Sequence, residues 1–116
     1  MNCLFIVNDA PFAGERAYNA LRLATALAAD ANRTVRLFFI GEGAWCAVKD
    51  QKIPEGGHNI EWMLQRFLAG MRDAAVCGTC MDARAIAAEM LIEGARRSSL
   101  EELAARTVEA DKVLVF

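Results

Sequence analysis

The sequence predicts a single α/β domain over residues 1–116, in which a mainly parallel sheet of about five strands carries helices on both faces. Three observations predict this fold. Short apolar runs alternate with longer helical patterns, no hairpin signal joins neighbouring strands, and no linker or internal repeat divides the chain. A length of 116 residues also suits one domain with its own core.

The composition argues against several classes of protein. A hydrophobic fraction of 55% argues against disorder. A formal charge of −2, from 13 basic and 15 acidic residues, is unfavourable for general binding to nucleic acid. No segment approaches the ~20 apolar residues of a membrane span, and the run Cys3–Val7 is too short for a signal peptide. We therefore expect a cytosolic protein with no nucleic-acid or membrane partner, whose cysteines are mostly thiols.

The first forty residues contain two predicted strands and one helix. Leu4–Val7 is a continuous apolar run that ends at a polar loop, which is typical of a buried strand. Glu15–Ala29 is rich in Ala and Leu without Gly or Pro, and its apolar residues share one helical face. Val35–Ile40 is rich in β-branched and aromatic residues and is the second predicted strand.

The segment Gly41–Gly57 is the least regular part of the chain. It holds four of the eight glycines and one of the two prolines, so we expect a mobile loop with a short helix over Ala44–Val48. The clearest amphipathic helix follows, since apolar residues recur with helical spacing from Ile60 to Met71. Asn59 is its predicted N-cap.

Another strand and helix are predicted around a pair of cysteines. Ala74–Val76 is a short strand that leads directly into Cys77-Gly78-Thr79-Cys80, and a helix is expected from Met81 to Glu89. The carboxyl ends of parallel strands meet at one edge of a sheet, where α/β proteins build their sites. We therefore expect the Cys77–Cys80 segment to meet Asn8–Gly14 and Gly41–His58 at that edge.

The last third of the chain is predicted to add a helix and one or two strands. Ser99 and Glu102 have the spacing of a capping box, which predicts a helix over Leu100–Glu109. Lys112–Phe116 is the final predicted strand. Either Met90–Ile92 or Ala95–Arg97 supplies one more, and the sequence leaves that choice open.

The Cys77-Gly78-Thr79-Cys80 motif carries the strongest chemical signal. A cysteine at a strand-to-helix turn is exposed to unpaired backbone N–H groups and the helix dipole, which lower thiol pKa values and make a nucleophile. Arg84 is expected to add positive charge. Asp82 is expected to oppose that charge or to accept a bond from a loop N–H.

Two alternative interpretations of the cysteine pair do not require a nucleophile. Cys77 and Cys80 are the right ligand types for zinc together with Cys46 and His58, but the second pair lacks the short spacing of structural zinc sites. We therefore expect no metal and no other cofactor. The cysteine pair is alternatively two buried thiols that act as small hydrophobes. Cys3 is expected in the core, Cys46 is expected to be an ordinary buried residue, and His58 to be structural.

Residues Cys77–Arg84 resemble the Cys-x-Thr-Cys-x-Asp-x-Arg pattern of the YchN-like branch of the DsrE/DsrF-like family. The resemblance extends over nearly the whole chain, with support from Asn8–Pro11, Asn19–Ala24, Gln51-Lys52 and Ala110–Phe116. The chain departs from the pattern at one point. Ala85 stands where the family has a glycine that is expected to set the geometry of the helix.

The resemblance implies a single α/β domain that assembles into homotrimers or homohexamers. Several members of the family act in sulfur relay, where a cysteine after a central strand carries sulfane sulfur as a persulfide. Alignment through the preceding valine places that carrier on Cys77. Cys80 is shared within the YchN-like branch but is not general in the wider family.

We therefore interpret the chain as a sulfurtransferase-type carrier with Cys77 as the persulfide residue and Cys80 as a candidate resolving thiol. Asp82 and Arg84 would tune the site, and proteins would serve as sulfur donor and acceptor. Two alternatives remain open at this point. One is a dithiol redox protein or sensor that uses the C-x-x-C pair, and the other is a non-catalytic oligomeric scaffold.

Overall fold

Five strands form one parallel sheet in this computed structural model, which describes all 116 residues. Every strand pair is parallel, which confirms the predicted α/β fold. Of the two segments predicted as alternatives for the fourth strand, Ala95–Arg97 forms it and Met90–Ile92 does not. The strand order is β4-β3-β2-β1-β5, with β1 at Asn2–Val7, β2 at Thr34–Phe39, β3 at Asp73–Cys77, β4 at Ala95–Ser98 and β5 at Lys112–Val115.

Four α-helices and two short 3-10 helices connect the strands. The side chain of Asn59 accepts a hydrogen bond from the backbone N–H of Trp62, and Ser99 accepts one from Glu102, so both predicted N-caps are confirmed. The α-helices are α1 at Arg16–Ala28, α2 at Ile60–Ala69, α3 at Gly78–Ala83 and α4 at Leu100–Glu109. The 3-10 helices lie at Gly41–Ala47 and Ala88–Met90.

The two faces of the sheet are covered unequally. A cluster of 23 buried residues packs α1, α2 and the first 3-10 helix onto one face. The cluster on the opposite face has only five buried members, and α4 contributes one of them, Leu103. Val115 on the edge strand β5 remains 65% exposed. The α4 face is therefore a thin layer beside the thick α1/α2 layer.

Helix α3 is shorter than the predicted helix Met81–Glu89, which is wrong beyond Ala83. The backbone N–H of Ile86 donates to the carbonyl of Met81, and that of Ala85 donates to Asp82. This pair of bonds is a Schellman motif, which requires a left-handed residue at the position that Ala85 occupies. Ala85 adopts a φ of +54° there. The helix thus ends where the family pattern has glycine, although this chain has alanine.

The amphipathic helix also ends earlier than its apolar spacing predicts. Helix α2 ends at Ala69, and Met71 lies beyond it with a φ of +56° and 97% of its surface exposed. Phe67 is fully buried as predicted. Met71 therefore does not belong to the core stripe.

The first half of the segment expected to be a mobile loop is packed structure, whereas Lys52–Gly57 is exposed and irregular. Gly41–Ala47 forms a 3-10 helix in which Ala44, Cys46 and Ala47 are fully buried. The side-chain amide of Gln51 donates to the backbone carbonyls of Cys46 and Val48, each at 3.0 Å. These bonds satisfy carbonyl groups that the end of a helix leaves unpaired.

None of the helices combines the length and the apolar character that crossing a bilayer would require.

We expect Ala85→Gly to raise the free energy of unfolding by about 1 kcal/mol, because glycine adopts a left-handed conformation without the Cβ repulsion that alanine meets. The greater freedom of glycine in the unfolded chain offsets part of that gain. Ala83 is the matched control, since it is exposed nearby within α3. Ala83→Gly should lower stability by roughly 0.5–1 kcal/mol, because glycine is a poorer helix former than alanine. Urea unfolding of both variants checks the opposite signs, and a loss of stability in both would contradict the assignment.

Candidate functional site

Three loop segments meet at the carboxyl edge of the sheet, as the strand pattern predicts. The backbone N–H of Gly41 donates to Cys80 Sγ at 3.1 Å, which joins the 3-10 helix to α3. The thiol of Cys46 donates to the carbonyl of Asp9 at 3.2 Å, which joins the same 3-10 helix to the loop after β1. The cysteine pair therefore lies where the ends of three neighbouring strands come together.

Two glycines permit this close packing. A Cβ atom at Gly43 would lie 2.0 Å from the carbonyl oxygen of Val7. A Cβ atom at Gly78 would lie 2.8 Å from the carbonyl oxygen of Ser98. Contacts this short with backbone atoms leave no space for a larger side chain, so both positions require glycine for steric reasons.

Cys77 is the last residue of β3 and is held as the more acidic thiol of the pair. It is 3% exposed and belongs to the small cluster under α4. Its Sγ lies 3.3 Å from the hydroxyl oxygen of Thr79. Burial alone raises the pKa of Cys77, but hydrogen bonds from the Cys80 thiol, the Thr79 hydroxyl and the backbone N–H groups of both residues outweigh burial. The pKa of Cys77 therefore lies below its ordinary value.

Cys80 shows the opposite shift, since its pKa lies above the ordinary value of a thiol. Burial raises its pKa, and so do the hydrogen bond to Cys77 and the negative charge on Cys77. The N–H of Gly41 and the charge of Arg84 act in the other direction without reversing the shift. The two opposite shifts favour a thiolate on Cys77 beside a neutral thiol on Cys80.

The two predicted charged residues occupy different positions around the cysteines. Arg84 donates to the carbonyl of Cys80 at 3.1 Å and to Glu42 Oε1 at 3.0 Å, so its charge acts on Cys80. Asp82 forms a two-pronged ion pair with Arg97 of β4, at 2.8 and 2.9 Å. Arg97 is a site residue that the sequence interpretation missed, because that interpretation did not place β4 beside β3.

The remaining cysteines and the histidine do not join the pair. Cys3 is buried in β1 as expected. Burial, with the negative charge of Asp9, raises the pKa of Cys46 to about 12, so it is an inert buried thiol. The imidazole of His58 stacks on Tyr18 at a centroid distance of 3.5 Å and lies 3.3 Å from a carboxylate oxygen of Glu15. The four residues of the zinc alternative are not brought together, and no group of three or more metal-ligating side chains converges in this fold.

An ionic network fixes α4 beside the cysteines. Arg96 of β4 donates to both oxygens of Asp73 and to both oxygens of Glu102, at 2.7–3.0 Å. The hydroxyl of Ser98, which faces Cys77 in the strand register, also donates to Glu102. Hydrogen bonds from Arg96 and then Ser98 lower the pKa of Glu102 to about 2. The network holds α4 against β4 and so closes one side of Cys77.

A cleft lies where α1 and α2 end and β2 and β3 begin. It has a volume of about 540 Å³ at the opposite end of the strands, away from the cysteines. The guanidinium of Arg72 on its wall donates to the carbonyls of Phe67 and Ala28, at 3.1 and 3.3 Å. Arg72 therefore ties together the carboxyl ends of α1 and α2.

Comparison with known proteins identifies similar chains over the full length. A model of the "DsrE/DsrF-like family" matches residues 1–116. Protein YchN of Escherichia coli is 39% identical over 114 residues, covering 97% of each chain, and the uncharacterized protein MJ0989 of Methanocaldococcus jannaschii is 36% identical over 117 residues, covering all of both chains.

Solved structures agree with these matches. The crystal structure of the E. coli ychN protein superposes with a TM-score of 0.93 at 38% identity, covering 100% of this chain and 99% of that one. The structure of MTH1491 from Methanobacterium thermoautotrophicum has a TM-score of 0.77 at 12% identity, covering 99% and 98% of the two chains, and shares the fold.

We expect the stabilising effect of Glu102 to be lost in acid. Its pKa is about 2 when folded and about 4.3 when unfolded, so its contribution is complete above pH ~5 and disappears as pH falls toward 2. Glu102→Gln should lower the free energy of unfolding by about 1–2 kcal/mol at pH 7, after allowance for solvent screening. The difference in the free energy of unfolding between native protein and Glu102→Gln should become small in acid.

Urea unfolding from pH 7 to pH 2.5 measures that difference. Glu101→Gln is the control, because Glu101 is exposed on the same turn of α4 and makes no bond to Arg96. Its effect should stay within about 0.5 kcal/mol at every pH. A gap between native and Glu102→Gln protein that does not change with pH would refute the role given to the carboxylate.

Proposed function

The chain belongs to the DsrE/DsrF-like family, and from that premise we propose that it is a sulfur-relay protein that carries sulfane sulfur as a persulfide on Cys77. The observation that carries this proposal is the inequality of the two thiols. Hydrogen bonds lower the pKa of Cys77, whereas burial and its partner raise the pKa of Cys80. Since the thiolate is the nucleophile in sulfur exchange, loading is assigned to Cys77.

Loading is an exchange between sulfur atoms that needs no external oxidant. The Cys77 thiolate attacks the outer sulfur of a donor persulfide, R–S–SH. The donor S–S bond breaks, a new S–S bond forms to Cys77 Sγ, and R–S⁻ leaves. The hydroxyl of Thr79, 3.3 Å from Sγ, stabilises the attacking thiolate.

Discharge has two routes that use the same stored sulfur. In relay, an acceptor thiolate attacks the outer sulfur and takes it, which returns Cys77 as a thiolate. In the second route the Cys80 thiolate attacks Cys77 Sγ, the outer sulfur leaves as hydrosulfide, and a Cys77–Cys80 disulfide forms. That disulfide is reset by a dithiol reductant. The N–H of Gly41 and the charge of Arg84, which both act on Cys80, support its ionisation during this step.

A dithiol redox protein or sensor is the second candidate function. The opposite pKa shifts of the two neighbouring cysteines support it, because a thiolate beside a neutral thiol also suits disulfide exchange with a partner. This candidate differs from sulfur relay in its product. It would produce a disulfide without passing through a persulfide.

We further propose that copies of this chain associate through the α4 face, as homotrimers or homohexamers. Leu100 and Val108 lie on the outer side of α4 with 60% and 87% of their surfaces exposed. Val113 and Val115 of the edge strand add exposed apolar surface on the same side of the sheet. Apolar surface that a thin layer leaves uncovered is typical of a subunit contact.

Cys77→Ser should abolish sulfur loading, whereas Cys80→Ser should load normally and release hydrosulfide slowly. Reduced protein is incubated with a low-molecular-weight persulfide, and intact mass followed by peptide mapping locates any added sulfur atom. Native protein should gain one sulfur on Cys77. Loading that persists in Cys77→Ser would refute the carrier assignment, and a loss of two hydrogens without a persulfide intermediate would favour the redox candidate.

Val108→Glu should reduce the oligomer to smaller species, because it places a charge within the proposed contact. Met71→Glu is the control, since Met71 is similarly exposed but follows α2, which packs on the opposite face of the sheet from α4. Sedimentation velocity at micromolar concentration measures both variants and the native protein. A monomeric native protein, or equal dissociation by both variants, would refute the proposed contact.

A further inference from the structure

Arg97 occupies the space that Gly78 leaves open beside Cys77. Strand β4 pairs with β3 so that Val76 lies opposite Arg97 and Cys77 opposite Ser98. A Cβ atom at Gly78 would lie 2.9 Å from both Cζ and Nε of Arg97. The guanidinium therefore packs directly over the peptide that follows the carrier cysteine.

Asp82 fixes the guanidinium in this position. Its two carboxylate oxygens accept from Nη1 and Nη2 of Arg97 at 2.8 and 2.9 Å, which is the two-pronged geometry that holds a guanidinium most firmly. Asp82 lies four residues after Gly78, hence on the same side of α3. The pair joins β4 to α3 across the turn, and its side chains remain 46% and 63% exposed.

Arg97 pairs with Val76, so its side chain leaves the sheet on the face opposite that of Cys77, and its charge acts on the sulfur across the Cys77-Gly78 turn. The hydrogen bonds that Arg97 donates to Asp82 and the negative charge of Asp82 raise the pKa of Arg97, burial opposes them, and negative charge on Cys77 adds the smallest increase. Arg84 instead acts on Cys80.

The other charged and titratable groups around Cys77 have their own partners. Cys80 on α3 accepts from the N–H of Gly41, and its raised pKa keeps it the neutral thiol. On the α4 side, Glu102 is bound by Arg96 and Ser98, which keeps its charge within the ionic network. Arg97 is therefore the β4 cation near the site that takes no part in this network, and its counterion is Asp82.

We propose that Arg97 is an electrostatic positioning residue that favours anionic sulfur donors at Cys77, and that Asp82 holds it in place while moderating its charge. This inference rests on the proposed carrier role of Cys77. The exchange is the loading step already given: the Cys77 thiolate takes the outer sulfur of a donor persulfide and R–S⁻ leaves. The cation lowers the cost of bringing an anionic donor to a thiolate and of holding the persulfide anion that forms.

Alkylation of Cys77 tests the proposal without any persulfide. Reduced protein is treated with iodoacetate, which is anionic, and separately with iodoacetamide, which is neutral, and peptide mapping follows modification of Cys77 over a pH series. The ratio of the two rates reports the local charge. We expect Arg97→Gln to lower the iodoacetate-to-iodoacetamide ratio by about two- to fivefold and Asp82→Asn to raise it by a similar factor. The pKa of Cys77 should rise in the first variant and fall in the second.

Changes of opposite sign in the iodoacetate-to-iodoacetamide ratio of the two variants would distinguish an effect of charge from an effect of structure. If the pair only clamped the turn, breaking it from either side would change Cys77 in the same direction. Arg97→Lys, which keeps the charge and loses the two-pronged geometry, should stay nearer to the native ratio than Arg97→Gln. Changes of the same sign in Arg97→Gln and Asp82→Asn, or no change in either, would overturn the proposal. Failure of native protein to load sulfur would instead count against the carrier role alone, since the alkylation ratio is measured independently.

Discussion

The close approach of Gly78 to β4 is the contact on which the site depends. With no side chain at Gly78, the carbonyl of Ser98 and the guanidinium of Arg97 both come close to the turn. That contact lets β3 pass directly into α3, so that Cys77 ends the strand and Cys80 lies one turn into the helix. A methyl group there would push α3 away from the sheet. The hydrogen bonds that distinguish the two thiols would then be lost.

The two thiols are unequal because their neighbours differ, although both are shielded from water. Burial disfavours the charged form of each. For Cys77 the cost of burial is offset by hydrogen bonds from the hydroxyl of Thr79 and from two backbone N–H groups of its own turn. Cys80 accepts a hydrogen bond from only one backbone N–H, that of Gly41, which belongs to a different segment. Local donors are always present once the turn forms. The donor to Cys80 depends on the packing of the 3-10 helix, which makes that helix part of the site.

The sequence predicted the features that depend on neighbouring residues and missed those that depend on distant ones. The caps at Asn59 and Ser99 form across three residues, so their spacing alone located them. The end of α3 was missed because its left-handed residue is Ala85 rather than glycine. Arg97 was missed for a different reason. A four-residue strand has too few positions to show alternation, and its register against β3 is settled only by packing.

The placement of Cys77 connects its proposed chemistry with the proposed assembly. Its side chain lies in the cluster beneath α4, on the face where one helix covers the sheet and the edge strand stays exposed. A second copy that covered this face would also close over the rim of the site and remove water from it. Electrostatic interactions strengthen as water is excluded, so the hydrogen bonds to the Cys77 sulfur anion would act more strongly in the assembly than in a single chain. The thin layer over this face is therefore consistent with a site completed by association.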